Sequence, residues 1–244
     1  MNENIVIIPT YNEIENIEAI IKAVLSLKSG FNILIVDDGS PDGTADVVKK
    51  LMLEFPARVF ILERTKKEGL GRAYIAGFKW CLEKEYNYIY EMDADFSHPY
   101  EKLEELYETC KIFADVAVGS RYKVGINVVN WPLKRVLLSY LASKYVRFIT
   151  RMKINDTTAG FVGYKRKVLE TINLDHIKMV GYAFQIEMKF KAWLFGYKIE
   201  EINIVFTDRQ KGSSKMRGGI IGEAFFGVLK MKLKSVFNKK KYLR

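Results

Sequence analysis

Asn32-Ile-Leu-Ile-Val-Asp-Asp-Gly-Ser-Pro-Asp-Gly-Thr44 runs from apolar β-branched residues through two acids into a Gly/Pro turn and a residue suited to open a helix. A strand that is apolar at every position is covered on both faces, the habit of a parallel sheet flanked by helices. Similar units recur along the chain. Apolar runs at 4–9, 58–62, 88–92 and 115–118, with 32–36, alternate with segments of helical period near 14–28, 43–54, 71–84 and 99–112. Asp42-Gly-Thr44 and the pair Ser97 and Pro99 supply the turns and N-caps where helices should begin. Beyond residue 120 the rhythm loosens: 131–150 reads as an amphipathic helix, 160–164 as a strand, 184–194 as a helix and 198–205 as a late strand. With no internal repeat and no Ser/Gly/Pro-rich linker, the two halves are expected to share one core.

The chain has 244 residues, enough for one large domain with at most an appendage. With 49% apolar residues, 28% charged residues and 5 prolines, it can bury a core, and global disorder is excluded. The net charge of +10 is concentrated at one end. Residues 211–244 carry ten basic residues against the single acid Glu223, which leaves +1 for residues 1–210. A nearly neutral body with a cationic tail argues for an attachment surface rather than a basic groove, so a nucleic-acid partner is not expected. Cys81 and Cys110 stand apart without CxxC spacing, which excludes a disulfide scaffold and a Cys-based zinc site. The N-terminus lacks a signal-peptide pattern, and no uncharged run is long enough to span a bilayer, so a cytoplasmic protein able to lie on a membrane is expected.

In an open parallel sheet, ligands bind beyond the carboxyl ends of the strands. The first strand ends in Pro9-Thr-Tyr-Asn-Glu13 without a Gly-x-Gly-x-x-Gly, which counts against a dinucleotide oxidoreductase. The second ends in Asp37-Asp-Gly-Ser40, where a carboxylate can accept hydrogen bonds from a base or a ribose, although Asp-Asp-Gly also forms ordinary turns. The fourth ends in Glu91-Met-Asp-Ala-Asp-Phe-Ser-His98. Two aspartates one residue apart at the end of a buried strand are costly unless a cation lies between them. Mg²⁺ or Mn²⁺ there could hold a nucleotide diphosphate in place of the missing Gly-rich loop. His98 reads as a turn or packing residue, and Gln185 and Glu187 as hydrogen-bonding residues at the core edge.

Taken together, the motifs resemble glycosyltransferase family 2, with its GT-A fold, and within it the polyprenyl-phosphate (dolichol-phosphate) mannose synthases. The resemblance covers residues 4 to about 218 through Pro9–Glu13, Val36–Thr44, Gly69-Leu-Gly-Arg-Ala73, Met92–His98, Gly119-Ser-Arg-Tyr122, Asp156-Thr-Thr-Ala-Gly-Phe161, Gly181-Tyr-Ala-Phe-Gln185 and Arg209–Lys215. It implies that Pro9, Tyr11, Glu13, Val36 and Asp38 form the nucleotide pocket. Asp93, Ala94 and Asp95 match the metal motif, with Ser97 as a further metal position. Arg121, Arg135 and Ser139 match positions that hold the acceptor phosphate. Arg209 and Lys215 match a segment that closes over the nucleotide diphosphate. Independently of the family, two guanidinium forks converging on one point suit a phosphate better than a hydroxyl.

The implied reaction is inverting transfer of mannose from GDP-mannose to a polyprenyl monophosphate at the cytosolic membrane face, with Asp95, Arg121 and Arg135 in catalytic roles. UDP-glucose as donor, or a glycan as acceptor, stays open at this point. A catalytic domain over 1–218 and a basic amphipathic tail over 219–244 are expected. In a helix from 219 to 237, Glu223, Lys230 and Lys234 share one narrow sector while apolar residues fill most of the rest, with Lys232 the exception. Followed by Lys239-Lys-Lys-Tyr-Leu-Arg244, this suits an anionic membrane surface; packing on the body is the other reading.

Overall fold

The computed structural model describes residues 3–179, 181–208 and 220–237. Seven strands form the central sheet: β1 (Asn4–Thr10), β2 (Phe31–Asp37), β3 (Val59–Glu63), β4 (Tyr88–Glu91), β5 (Val116–Ser120), β7 (Val162–Lys165) and β8 (Ile199–Asn203), with β6 (Val128–Val129) and β9 (Phe206–Thr207) paired apart from it. The order across the sheet is β3-β2-β1-β4-β7-β5-β8. All neighbours run parallel except β7, which is antiparallel to both β4 and β5. The helices are α1 (Ile17–Leu25), α2 (Thr44–Glu54), α3 (Leu70–Leu82), α4 (Leu103–Glu108), α5 (Leu133–Thr150), α6 (Arg166–Thr171), α7 (Tyr182–Leu194) and α8 (Ile220–Phe237).

The apolar strands divide their side chains between two layers. Ile5, Ile7, Leu34 and Val36 face α3 and α7, joining Tyr74, Phe78, Phe184 and Met188. Val6, Ile8, Ile33 and Ile35 face α1, α2 and α4, joining Ile17, Ile20, Val48 and Leu106. Each of these isoleucines is fully buried, and burying such a side chain stabilises the fold by about 1.5–3 kcal/mol. Cys81 and Cys110 lie in these layers as free thiols, and burial pushes both thiol pKa values up, that of Cys110 to about 12. The sheet is therefore the mostly parallel, helix-flanked α/β structure expected of a GT-A fold.

Strand ends and helix starts depart from the expected ones for local reasons. α1 begins at Ile17 rather than near 14, after a turn in which the N–H groups of Asn16 and Ile17 both donate to the Glu13 carbonyl; the N–H groups of Asn12, Glu13 and Ile14 donate to Ser40 Oγ, Thr44 Oγ1 and Asp42 Oδ2. The loops after β1 and β2 are thus tied together. The helix expected over 99–112 divides into a 3-10 turn at Tyr100–Lys102, α4 and a π turn at Thr109–Phe113, closed by an Ala114 N–H to Thr109 C=O bond of 2.9 Å. The late strand expected over 198–205 ends at Asn203. The chain then leaves the sheet, and Phe206 N–H donates to Asn127 C=O to start the β6–β9 pair.

The C-terminal helix α8 packs on α5 and α7. Val228 and Met231 join Val146, Met152, Ile154, Ile186 and Phe190 in a third apolar cluster. Tyr145 stacks on Phe225, with ring centroids 4.4 Å apart, and its hydroxyl donates to the Phe225 carbonyl. Among the described residues no helix is long and apolar enough to cross a membrane.

Gly163, at the centre of β7, shows how tightly this sheet is covered: a Cβ there would lie 2.7 Å from the Tyr90 ring. Gly163→Ala is expected to cost about 1–3 kcal/mol on urea unfolding, the usual penalty for overpacking. A midpoint equal to that of the wild type would show that the Tyr90 layer is looser than described.

Candidate active site

The sheet changes winding direction between β1 and β4, and the loops after both strands meet at their carboxyl ends. On one side, Asp37 is almost fully buried and accepts hydrogen bonds from Thr10 Oγ1 and from the N–H and Oγ of Ser40. Asp38 faces Arg64, which donates to it at 2.7 Å and also to Glu68. Burial raises the Asp38 carboxyl above its ordinary value, with Asp37 adding to the effect and Arg64 and Lys67 opposing it. Lys67 stands 4.3 Å from the centroid of the Tyr11 ring. Pro9, Tyr11 and Glu13 are partly exposed around this hollow, whereas the Val36 side chain is fully buried in the core and offers the hollow no surface.

The loop after β4 is held from behind. Asp93 N–H donates to His98 Nδ1 at 3.2 Å, and Ser97 N–H donates to Asp95 Oδ1 at 3.1 Å. Phe96, between them, has φ of +58°, a left-handed conformation rare for a bulky residue and one that turns the chain back onto Asp95. His98 stacks on Phe161 and meets Phe206 edge-on. Burial lowers its imidazole pKa to about 4, so at neutral pH Nδ1 is free to accept from Asp93. Ala94, Asp95 and Ser97 are buried and Asp93 is half-buried. Among the described residues no three His, Cys, Asp or Glu side chains converge as a metal cluster. Asp93 and Asp95 offer two hard oxygen donors, a set that fits a cation sharing its remaining positions with phosphate oxygens and water.

Beneath that loop, the end of β4 carries Glu91, fully buried. Gln185 Nε2 donates to its carboxyl at 2.9 Å, and Lys189 Nζ donates to Gln185 Oε1 at 3.1 Å and to the Ala159 carbonyl at 2.6 Å. Burial pushes the Glu91 carboxyl up to about 8 and draws the Lys189 ammonium down to about 8. Glu187, two residues on from Gln185, accepts instead from the backbone of Lys178 and Met179.

The opposite wall rises from β5 and α5. Arg121 forms a two-pronged pair with fully buried Asp156 at 2.6 and 2.7 Å and donates to Thr158 Oγ1. Asp156 accepts the Arg121 main-chain N–H as well, while Glu201 accepts from the N–H of Asp156. Arg135 pairs with Asp208 at 3.0 Å. The two guanidiniums do come together, on one indole: Trp131 has Arg135 3.9 Å and Arg121 5.5 Å from its ring centroid. Both are already paired with carboxylates, which reading them as phosphate forks did not anticipate. Trp131 Nε1 is buried without a hydrogen-bond partner among the described residues. Ser139 accepts from the Tyr122 hydroxyl at 2.8 Å. Phe206 links the walls, edge-on to both Trp131 and His98. Arg209 and Lys215 lie outside the described residues.

Gly69 takes φ of +102° with open space where a Cβ would be, whereas a Cβ on Gly71 would lie 2.9 Å from Phe184.

The profile of Glycosyl transferase family 2 matches residues 5–172, which include both walls up to Asp156. The chain belongs to this family. It is 47% identical over 224 residues to a polyprenol monophosphomannose synthase of Mycolicibacterium smegmatis, covering 92% of this chain and 84% of the relative. An undecaprenyl-phosphate mannosyltransferase of Micrococcus luteus is 44% identical, over 91% of this chain and 90% of the relative. A dolichol-phosphate mannosyltransferase of Pyrococcus furiosus is 37% identical, over 89% of this chain and 60% of that longer relative. Among solved structures, glucosyl-3-phosphoglycerate synthase from Mycobacterium tuberculosis in complex with phosphoglyceric acid superposes with a TM-score of 0.69 at 14% identity, over 96% of this chain and 79% of that chain. That likeness shows the GT-A fold. The protein is a glycosyltransferase.

Several neighbours of the expected residues carry no local sequence signal. Arg64, Lys67, Asp208 and Lys189 each meet their partners from distant positions in the chain. Asp156 stands in a motif that points to the site, but nothing near it in sequence announces its pairing with Arg121.

Burial would raise the Asp156 carboxyl, but the charge and hydrogen bonds of Arg121 outweigh it and hold the group below its ordinary value. A carboxyl lowered in the folded state adds stability above its unfolded pKa of about 4, and that stability is lost as pH falls through the folded value. Asp156→Asn leaves Arg121 buried without its counter-charge. It is expected to lower unfolding stability by about 3–5 kcal/mol at pH 7 and to flatten the acid limb of the stability curve. An unchanged pH–stability curve would contradict this account of the pair.

Proposed function

We propose that the protein transfers mannose from GDP-mannose to a polyprenyl monophosphate at the cytosolic face of a membrane, with inversion at the anomeric carbon. The observation that carries this reading is the Trp131 corner, where two guanidiniums gather with an indole N–H that has no partner among the described residues. Three donor groups of two kinds, a pair of guanidiniums and an indole N–H, suit the oxygens of a phosphate monoester. The names of the bacterial relatives, a polyprenol monophosphomannose synthase and an undecaprenyl-phosphate mannosyltransferase, support the sugar and the acceptor class.

In this reading the hollow around Pro9, Tyr11, Glu13 and Asp38 takes the nucleoside, and Val36 backs it from the core. Asp93 and Asp95 hold Mg²⁺ or Mn²⁺, with Ala94 letting the chain pass close and Ser97 fixing Asp95 through its N–H. The metal supplies charge neutralisation to the departing diphosphate. A related fold supports such use: the Mycobacterium tuberculosis glucosyl-3-phosphoglycerate synthase has been solved with Mn²⁺ and UDP. Arg209 and Lys215 are assigned to the same diphosphate.

On the acceptor side, Arg121 is held rigidly by Asp156 and presents a fixed positive edge. Arg135 is more exposed, and Asp208 occupies the fork that an incoming phosphate takes over. Ser139 adds a hydroxyl on the same face of α5. A phosphate monoester is mostly ionised at pH 7, its second pKa being about 6, so its oxygen attacks the anomeric carbon without a general base. The bond from that carbon to the diphosphate breaks, and GDP leaves with the electron pair. Catalysis is then positioning and charge compensation.

The membrane part of the proposal rests on α5 and α8 together. Leu133, Leu137, Leu141 and Phe148 of α5 form an exposed stripe near Lys134 and Lys144, and Phe226, Leu233, Val236 and Phe237 of α8 are exposed as well. The packed helix therefore keeps an apolar face, and the basic 239–244 segment beyond it suits an anionic leaflet.

Transfer of radiolabelled mannose from GDP-mannose to a short polyprenyl phosphate, with UDP-glucose as the competing donor, tests the reaction. Asp95→Asn is expected to lower the rate about 100-fold or more, EDTA to abolish it, and Arg135→Ala to raise the acceptor KM while GDP binding stays within a few-fold. Preference for UDP-glucose, or full activity in excess chelator, would refute the donor or the metal.

Sedimentation with anionic vesicles tests the surface. Leu141→Glu and Phe226→Glu are expected to weaken binding about tenfold or more without shifting Tm, since each side chain is mostly exposed and burying one in lipid contributes about 1.5–3 kcal/mol. Binding by the wild type should weaken as salt rises. Vesicle binding indifferent to both substitutions would refute the assignment of this face.

A further inference from the structure

The buried chain Glu91, Gln185, Lys189 and Ala159 is not used by the chemistry above, although it underlies both walls. Glu91 lies two residues before Asp93, and Ala159 three residues after Asp156, so the chain begins at the metal-motif strand and ends on the segment that holds Arg121. Gln185 and Lys189, one turn apart on α7, span the gap. The amide orientation follows from its partners: an ammonium only donates, so Oε1 faces Lys189 and Nε2 faces Glu91. Gly160 lies between the two walls at this level, since a Cβ on it would be 3.9 Å from Gln185 Nε2 and 3.9 Å from His98 Cε1. Gly160 thus separates the Gln185 amide from the ring that accepts the Asp93 N–H.

Such a network is a poor way to add stability. Glu91, Gln185 and Lys189 are all fully buried, and desolvating charged and amide groups costs more than their mutual attraction reliably returns. What it does provide is a fixed separation, because hydrogen bonds of defined length and direction hold β4, α7 and the 156–161 segment in one register.

We infer that Gln185 and Lys189 are positioning residues that set the distance between the donor half and the acceptor half of the site. The inference rests on the proposed transfer between a donor at Asp93 and Asp95 and an acceptor at Arg121 and Arg135. Neither residue touches substrate. Each half keeps its own ligands when the chain is broken, and what is lost is their alignment. A shift of the order of 1 Å in that alignment is enough to cost about 100-fold in rate.

The test is steady-state kinetics of the full-length protein with Gln185→Met, Lys189→Met and the double variant, alongside calorimetric binding of GDP with Mg²⁺ and thermal melts. The expected result is a fall in kcat of about 10- to 100-fold, with KM for both substrates and the GDP Kd within about threefold of wild type. The double variant should lose no more than the worse single variant, since both break one chain. A residue that served only stability would lower Tm and leave kcat of the folded fraction alone. If Gln185→Met does not fold, Gln185→Asn keeps an amide in the interior but is one methylene too short to reach both partners, and the same readouts apply to it. Wild-type kcat in a folded variant overturns the inference, as does a loss that appears in KM or GDP affinity. The wild type run on GDP-mannose and UDP-glucose judges the proposed function separately, and the variants are compared on whichever donor it uses.

Discussion

A parallel sheet covered by helices on both faces has no polar surface except at the ends of its strands. In this chain that constraint acts strongly, because β1 and β2 are buried along almost their whole length. Acids that follow the apolar runs, Asp37 and Asp38 at the end of β2 and Asp93 and Asp95 after β4, are carried to the rim where the sheet changes direction. There they are close enough to solvent to bind ligands and dry enough for charge to count. The helices have the complementary task of keeping water off the strands, and the packing around Tyr90 and Gly163 shows how little room is left.

Charge compensation organises the rim itself. Asp38 with Arg64 and Asp156 with Arg121 are largely buried pairs, whereas Arg135 with Asp208 is partly exposed. The Asp156 pair is nearly dry, so removing either partner strands the other. The Arg135 pair is wet enough to be exchanged for another anion at small cost. A site that must release one anion and hold another benefits from having both kinds. Trp131 joins them, since its ring takes a guanidinium from each pair.

Much of this was legible in the chain, and the illegible parts share a cause. Apolar β-branched runs locate β1 to β5 to within a residue or two, and the sequence places Asp93 and Asp95 just past the end of the fourth strand, where the structure has them. The errors lie where a residue's partner is remote. The segment before α1 is tied to side chains at 40, 42 and 44, and no periodicity near residue 14 reports them. The strand at 160–164 is visible as a strand, but its place between β4 and β5 and its reversed direction are set by pairings that local pattern does not encode. Arg121 and Arg135 are recognisable as cations, while Asp156 and Asp208 as their partners are not. In α8 the buried set Val228, Met231 and Ser235 recurs at helical spacing and could have been read as a docking face.

The reversed direction of β7 bears on how far this protein can be divided. The first four strands, with α1 to α3, alternate strand and helix in sequence order, which invites excision at that point. Yet β4 is an interior strand only because β7 returns to cover its free edge, and β7 also delivers the Asp156–Phe161 segment to the rim by its leading rather than its trailing end. A fragment ending before β7 would expose an apolar strand edge, the feature that makes isolated sheets aggregate. The two halves are thus a single unit of inheritance: a recombination joint between them would have to preserve a hydrogen-bonded seam as well as a reading frame.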